Sequence, residues 1–156
     1  MDVLDAQTKK LIKPLEKMYV KAPALPISVK EFIVTVSPWV ALILGVLSVA
    51  ALAFAIFDLG ASGVIAGSQV FALSGFGIVP IVAGLVSGIL MLLAFKPLQK
   101  RTLKGWNLMF WVFVISLVSS LFSSLTLMFN VLSIAYIIVL VVIELYFLFQ
   151  VKSYYK

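Results

Sequence analysis

The chain has no cysteine and no histidine in its 156 residues. The first absence excludes disulfides, thiolate nucleophiles and cysteine-ligated zinc. The second excludes imidazole acid–base chemistry and any Ser-His-Asp triad. Acids are scarce as well, with six in all: Asp2, Asp5, Glu16, Glu31, Asp58 and Glu144. No GxxxxGK[ST], GxGxxG or HExxH pattern occurs. The sequence therefore predicts no enzyme, no metal site and no cofactor.

What is abundant is apolar. Hydrophobic residues make up 63 % of the chain and its mean hydropathy is +1.21, against roughly 45–50 % apolar residues in soluble domains. A soluble domain of about 150 residues buries only about 70 % of its surface, so a water-soluble fold would leave too much apolar area wet. Lipid is the solvent this composition suits.

Residues 1–27 form the one long polar stretch and read as a basic amphipathic segment. Leu4, Leu11, Ile12, Leu15, Met18 and Tyr19 recur at helical spacing, with Lys9, Lys10, Lys13 and Lys17 on the other face. Such a helix lies in the headgroup region, its lysines drawn to anionic lipid at about 1 kcal/mol each. Pro14 is expected to kink it. Aromatic residues do not interleave with the lysines, so nucleic-acid binding is not expected.

Residues 28–156 read as a four-helix transmembrane domain. Ser28 and Glu31 have capping-box spacing and predict a helix start at Ser28, leading through Pro38 into a first span over 39–57. Residues 58–75 read as an external loop. A second span over 76–95 leads to the basic loop KPLQKRTLK at 96–104. The apolar run from Leu108 to Phe149 would measure about 63 Å as one helix, roughly twice a bilayer core. It must fold back, and Asn130 suits the turn. The third and fourth spans are then 108–128 and 132–149. Ala53-Phe54-Ala55 resembles a signal-peptidase site, but the region before the apolar core is too long for a signal peptide, and the segment reads as a retained anchor.

With four spans, all twelve basic residues fall on one side, and the positive-inside rule places that side, with both termini, in the cytoplasm. The charge of +6 is thus explained by topology. Trp39, Trp106 and Trp111 are expected near the inner boundary, each with a ring in lipid and an N–H at the interface.

Glu144 is the outlying residue, about 9 Å inside the fourth span by helical rise. A mid-helix acid costs about 2.5–3.5 kcal/mol on insertion scales, so it faces protein or water and often carries function. The alternative is a structural acid bonded to Trp111 or paired with Lys96 or Lys104. Ser48, Ser87 and Ser116 fall near the midplane and complete a candidate polar pathway with Glu144, although serine also lets helices pack closely. Gly84 and Gly88 form a close-packing ridge on the second span, with Ala41 and Gly45 a smaller one on the first. Ser119, Ser120, Ser123 and Ser124 join Ser116 on the third span, on more than one face. These small residues predict contact within the monomer, between copies, or with another membrane protein.

The stretches KAPALP at 21–26, VKEFIVTVSPWVALILGVL at 29–47 and FQVKSYYK at 149–156 resemble small uncharacterised four-helix membrane proteins of candidate-phyla bacteria. The resemblance implies a bacterial inner membrane and carries no functional motif. Two functions stay open: a structural or accessory membrane protein, which the sequence favours, and a small transporter or channel subunit using Glu144 and the midplane serines.

Overall fold

The computed structural model describes residues 12–16, 18–19, 22–61, 75–126 and 131–156. These are helical apart from short connections, and no strand occurs among them. Four helices carry the fold: α1 Ile27–Ala61, α2 Gly75–Gln99, α3 Leu103–Thr126 and α4 Val131–Val151. A 3₁₀ turn, Lys152–Tyr154, follows α4. All four are long and apolar enough to cross a membrane. In α4 the span has a mean hydropathy of 2.4 with 11 % of it buried inside the protein, so much of its apolar surface needs lipid or a partner.

The helices exceed the expected spans, because hydropathy marks the lipid-soluble stretch and not the hydrogen-bonded one. α1 reaches Ala61, so residues 58–61 are helix and not loop. α2 runs through Lys96 and Pro97 to Gln99, and α3 already begins at Leu103. The basic loop shrinks to a turn at 100–102. The expected turn at Asn130 lies outside the described residues, as does most of the external loop.

The capping box does not form. Pro26 offers its carbonyl to the N–H groups of both Val29 and Lys30 at 3.1 Å, so α1 begins at Ile27 and Ser28 lies inside its first turn. Pro38 does not interrupt α1. Proline has no N–H for the carbonyl four residues earlier, and the Ser37 hydroxyl supplies the missing donor, reaching the Val34 oxygen at 3.1 Å.

α1 and α2 approach closely because small residues meet. Ala41 is fully buried. A Cβ on Gly88 would lie 3.0 Å from the Ser48 Cβ, and one on Gly45 would lie 3.0 Å from the Leu92 side chain and 3.1 Å from the Gly88 carbonyl. Gly84 has nothing within 4 Å of its Cβ position; its half of the ridge is open.

The α2–α3 turn is a Schellman arrangement: the Arg101 N–H bonds the Leu98 carbonyl at 2.9 Å and the Thr102 N–H bonds that of Pro97 at 3.0 Å. The left-handed position falls on Arg101 (φ 50°). The end of the chain is stitched to this turn, with the Lys156 N–H on the Arg101 oxygen and the Leu103 N–H on the Lys156 oxygen, both at 2.9 Å. Tyr155 and Ser37 hydroxyls lie 3.0 Å apart. These contacts gather the start of α1, the α2–α3 turn and the end of α4 at one basic end of the bundle.

The core sits at that end. Trp106, Phe110, Leu98, Val34 and Ala94 are buried there, with Leu145, Val151 and Tyr155. Trp106 departs from the expected interfacial role: it is 1 % exposed and its indole N–H donates to the Leu148 carbonyl at 2.8 Å. Trp39 is 55 % exposed.

Part of the amphipathic segment's apolar stripe meets protein, while Met18 is 70 % exposed. Ile12 is buried in the core cluster, with Leu15 and Tyr19 against it. The Tyr19 ring stacks on Phe149 with centroids 5.5 Å apart, and the Tyr146 hydroxyl donates to the Pro23 carbonyl at 2.6 Å. Lys152 clamps the segment, pairing with Glu16 at 2.8 Å while its ammonium stands 5.4 Å over the Trp106 ring. Lys13 is exposed beside Pro14; Lys9, Lys10 and Lys17 lie outside the described residues.

Candidate functional site

α4 stands off from α3. Bulky aromatics at the basic end, Trp106 and Phe110 from α3 with Phe149 from α4, hold the two helices apart, the Trp106 and Phe149 rings meeting edge-on at 5.6 Å. Beyond these spacers α3 carries serines, which are too short to reach across. Space is left along the seam.

The first hollow is a cavity of about 340 Å³ to which all four helices contribute. Ser37, Met91, Met109, Phe113, Phe147 and Tyr155 are among its walls, which are largely apolar, and Ser116 and Glu144 close its far side. A second hollow of about 70 Å³ continues past Phe113, Ser116 and Glu144 to Ser120 and Ile137. A third, of about 520 Å³, continues from Ser120 and Ile137 to Ser119, Ser123, Ser124 and Tyr136. Each hollow shares walls with the next.

The serines of α3 are therefore one feature. Positions 116, 119, 120, 123 and 124 follow an i, i+3, i+4, i+7, i+8 pattern, which is a single helical stripe. The sequence reading spread them over more than one face; the spacing itself carries the signal that places them together.

Glu144 projects into the seam from α4 and borders both the first and second hollows. Neither expected lysine meets it: among the described residues the one ion pair is Lys152–Glu16. Trp111 is not among the cavity walls. Of the three midplane serines, the structure brings only Ser116 to Glu144. Ser48 bonds back to the Leu44 carbonyl at 2.7 Å and packs on Gly88. Ser87 is 8 % exposed, beside Gly88 in sequence, and neither serine borders the hollows that Glu144 borders.

At the basic end of the cavity a short relay of hydroxyls is fully paired. Ser37 gives its proton to Val34, so Tyr155 is the donor in the Tyr155–Ser37 contact. Burial, the largest effect, pushes the Tyr155 phenol above its ordinary pKa, while the nearby Arg101 guanidinium acts in the opposite direction. The phenol stays neutral and serves as a donor.

No group of three or more His, Cys, Asp or Glu residues that could hold a metal occurs among the described residues. The site thus offers one carboxylate, a stripe of hydroxyls and apolar walls. Such a set can hold a cation or pass a proton. Comparison with protein-family models, curated proteins and solved structures gives no match to this chain.

Proposed function

We propose that this chain is a small transporter or channel subunit of the bacterial inner membrane, its basic end and both termini cytoplasmic, with a pathway along the α3–α4 seam. The observation that carries the reading is the string of three hollows, the first and second sharing Phe113, Ser116 and Glu144 and the second and third sharing Ser120 and Ile137. An intramembrane carboxylate without an ion pair is a functional residue by default, and here it stands where two hollows join. Ser116, Ser120 and Glu144 are exposed on the single chain. Lipid solvates such groups poorly, so a second copy or another membrane protein covers the seam in this reading.

The test is flux in proteoliposomes carrying the full chain under an imposed proton or cation gradient. Wild type is expected to dissipate the gradient and Glu144→Gln to abolish most of that activity. Equal flux in the two proteins, or none in wild type, overturns the reading. Orientation is checked separately: a cysteine placed at Lys100 is expected to react with an impermeant thiol reagent only from the cytoplasmic side.

The accessory reading keeps one specific support. Gly84 on α2 is exposed with open space at its Cβ position, which suits close approach of a helix from another chain. In that case Gly84→Leu disrupts an assembly visible on native gels and leaves the fold intact. Anionic lipid at Lys13 and the other N-terminal lysines fits either reading.

A further inference from the structure

We propose that the cavity beside Glu144 binds a lipophilic organic monocation. The inference rests on the seam being the working site and names what that site takes.

The sign of the charge follows from the walls. Among the described residues, Glu144 is the only ionised type of side chain on those walls, and no lysine or arginine borders the cavity. An anion would meet a carboxylate and no counter-charge. A small metal cation fares little better, because hard cations need about six oxygen ligands or retained water. The cavity offers Glu144, Ser116 and two hydroxyls, Ser37 and Tyr155, that already bond each other. A cation that carries its own apolar shell needs far less. It requires one counter-charge and a greasy surround.

The surround is present. Phe113, Phe147, Met91 and Met109 line the cavity; aromatic faces attract quaternary and other diffuse cations, and thioethers are polarisable and adaptable. Trp106 also lines the cavity, with Lys152 standing over its ring and Phe110 stacked on it with centroids 5.7 Å apart. That internal Lys152 contact is the same attraction already at work on one wall residue of the cavity. The volume of about 340 Å³ falls in the range of about 300–1,000 Å³ typical of small-molecule sites.

The test uses the purified full chain in nanodiscs of zwitterionic lipid, which removes uptake of cations by anionic headgroups. Equilibrium dialysis measures binding of benzyltrimethylammonium, with neopentylbenzene, its uncharged carbon isostere, as competitor. Saturable binding is expected, poorly displaced by the isostere and weaker by about tenfold or more in Glu144→Gln, as for loss of one partner of a desolvated charge pair. Equal affinity for the isostere would mean that the cavity takes apolar chains as such, and it overturns the proposal. So does unchanged cation affinity in Glu144→Gln. The isostere comparison uses the unaltered chain and stands even where the variant fails to fold. Binding without flux refutes the transport reading and leaves this ligand class standing; Glu144-dependent flux without binding does the reverse.

Discussion

Ser37 and Tyr155 are 118 positions apart in the chain, and their hydroxyls meet at 3.0 Å. The contact closes a relay from Tyr155 through Ser37 to the Val34 carbonyl, the group that Pro38 deprives of its usual helical partner. One serine thus lets a proline sit inside a membrane helix and ties the end of the chain to that helix.

The first prediction concerns this relay. Ser37→Ala leaves the Val34 carbonyl and the buried Tyr155 hydroxyl without partners, a loss of about 1–3 kcal/mol for an unsatisfied buried group. Tyr155→Phe removes the donor and leaves the Ser37–Val34 bond in place, so its cost is nearer about 1 kcal/mol. Thermal unfolding in detergent should rank Ser37→Ala below Tyr155→Phe, with the double variant losing less than the sum. Strict additivity would show that the two hydroxyls do not act together.

The same phenol sets an alkaline limit. Its folded pKa is raised, chiefly by burial, so the neutral form is the one the fold prefers. The resulting stability is fully present below the ordinary tyrosine pKa of about 10 and is lost as pH rises through the folded value. Unfolding temperatures followed from pH 8 to pH 12 should fall above about pH 10, and less so in Tyr155→Phe. Identical pH profiles for the two proteins would remove Tyr155 from the explanation.

Gly105 is held by backbone. A Cβ there would lie 2.7 Å from the Leu98 nitrogen and 2.8 Å from the Pro97 carbonyl carbon, atoms fixed by the Schellman turn. Glycine to alanine inside a helix ordinarily gains about 0.5–1 kcal/mol. The clash is expected to win, with Gly105→Ala destabilising by about 1–3 kcal/mol, as for overpacking. A higher unfolding temperature for this variant would mean that the turn can relax.

Arg101 occupies the left-handed position that glycine usually fills. A side chain there costs about 1–2 kcal/mol, partly offset in Arg101→Gly by the greater freedom of glycine in the unfolded chain. The glycine variant should equal or exceed wild type in stability by up to about 1 kcal/mol, whereas the branched Arg101→Val should fall below it. Arg101→Val matching Arg101→Gly in a thermal melt would rule out backbone strain at this residue.

How much of this was legible in the sequence varies by residue. Four apolar helices were, since hydropathy and length leave lipid as the only solvent for them, and the fold-back between the last two follows from bilayer thickness. Glu144 stood out because an acid among aliphatic residues is costly wherever it points. Helix ends were less legible: Pro26 and not Ser28 starts α1, because a backbone carbonyl was free to accept the first N–H groups before any side chain was needed. The serine stripe on α3 was present as a spacing, but small residues serve packing and polar lining alike, and only a neighbour at contact distance or an empty seam tells them apart.

By itself, then, the sequence determined the number of membrane-spanning helices and the gathering of basic residues at one end, because both depend on solvation summed along the chain. The tertiary structure decided which small residues pack and which line space. Gly88 and Ser48 meet across α1 and α2, while Ser116 and Glu144 face a gap that the Trp106, Phe110 and Phe149 rings hold open. It also set Ile12, Leu15 and Tyr19 of the N-terminal segment against the core. Such outcomes depend on distances between residues far apart in the chain, and those distances are set by the size of the side chains that happen to stand between the helices.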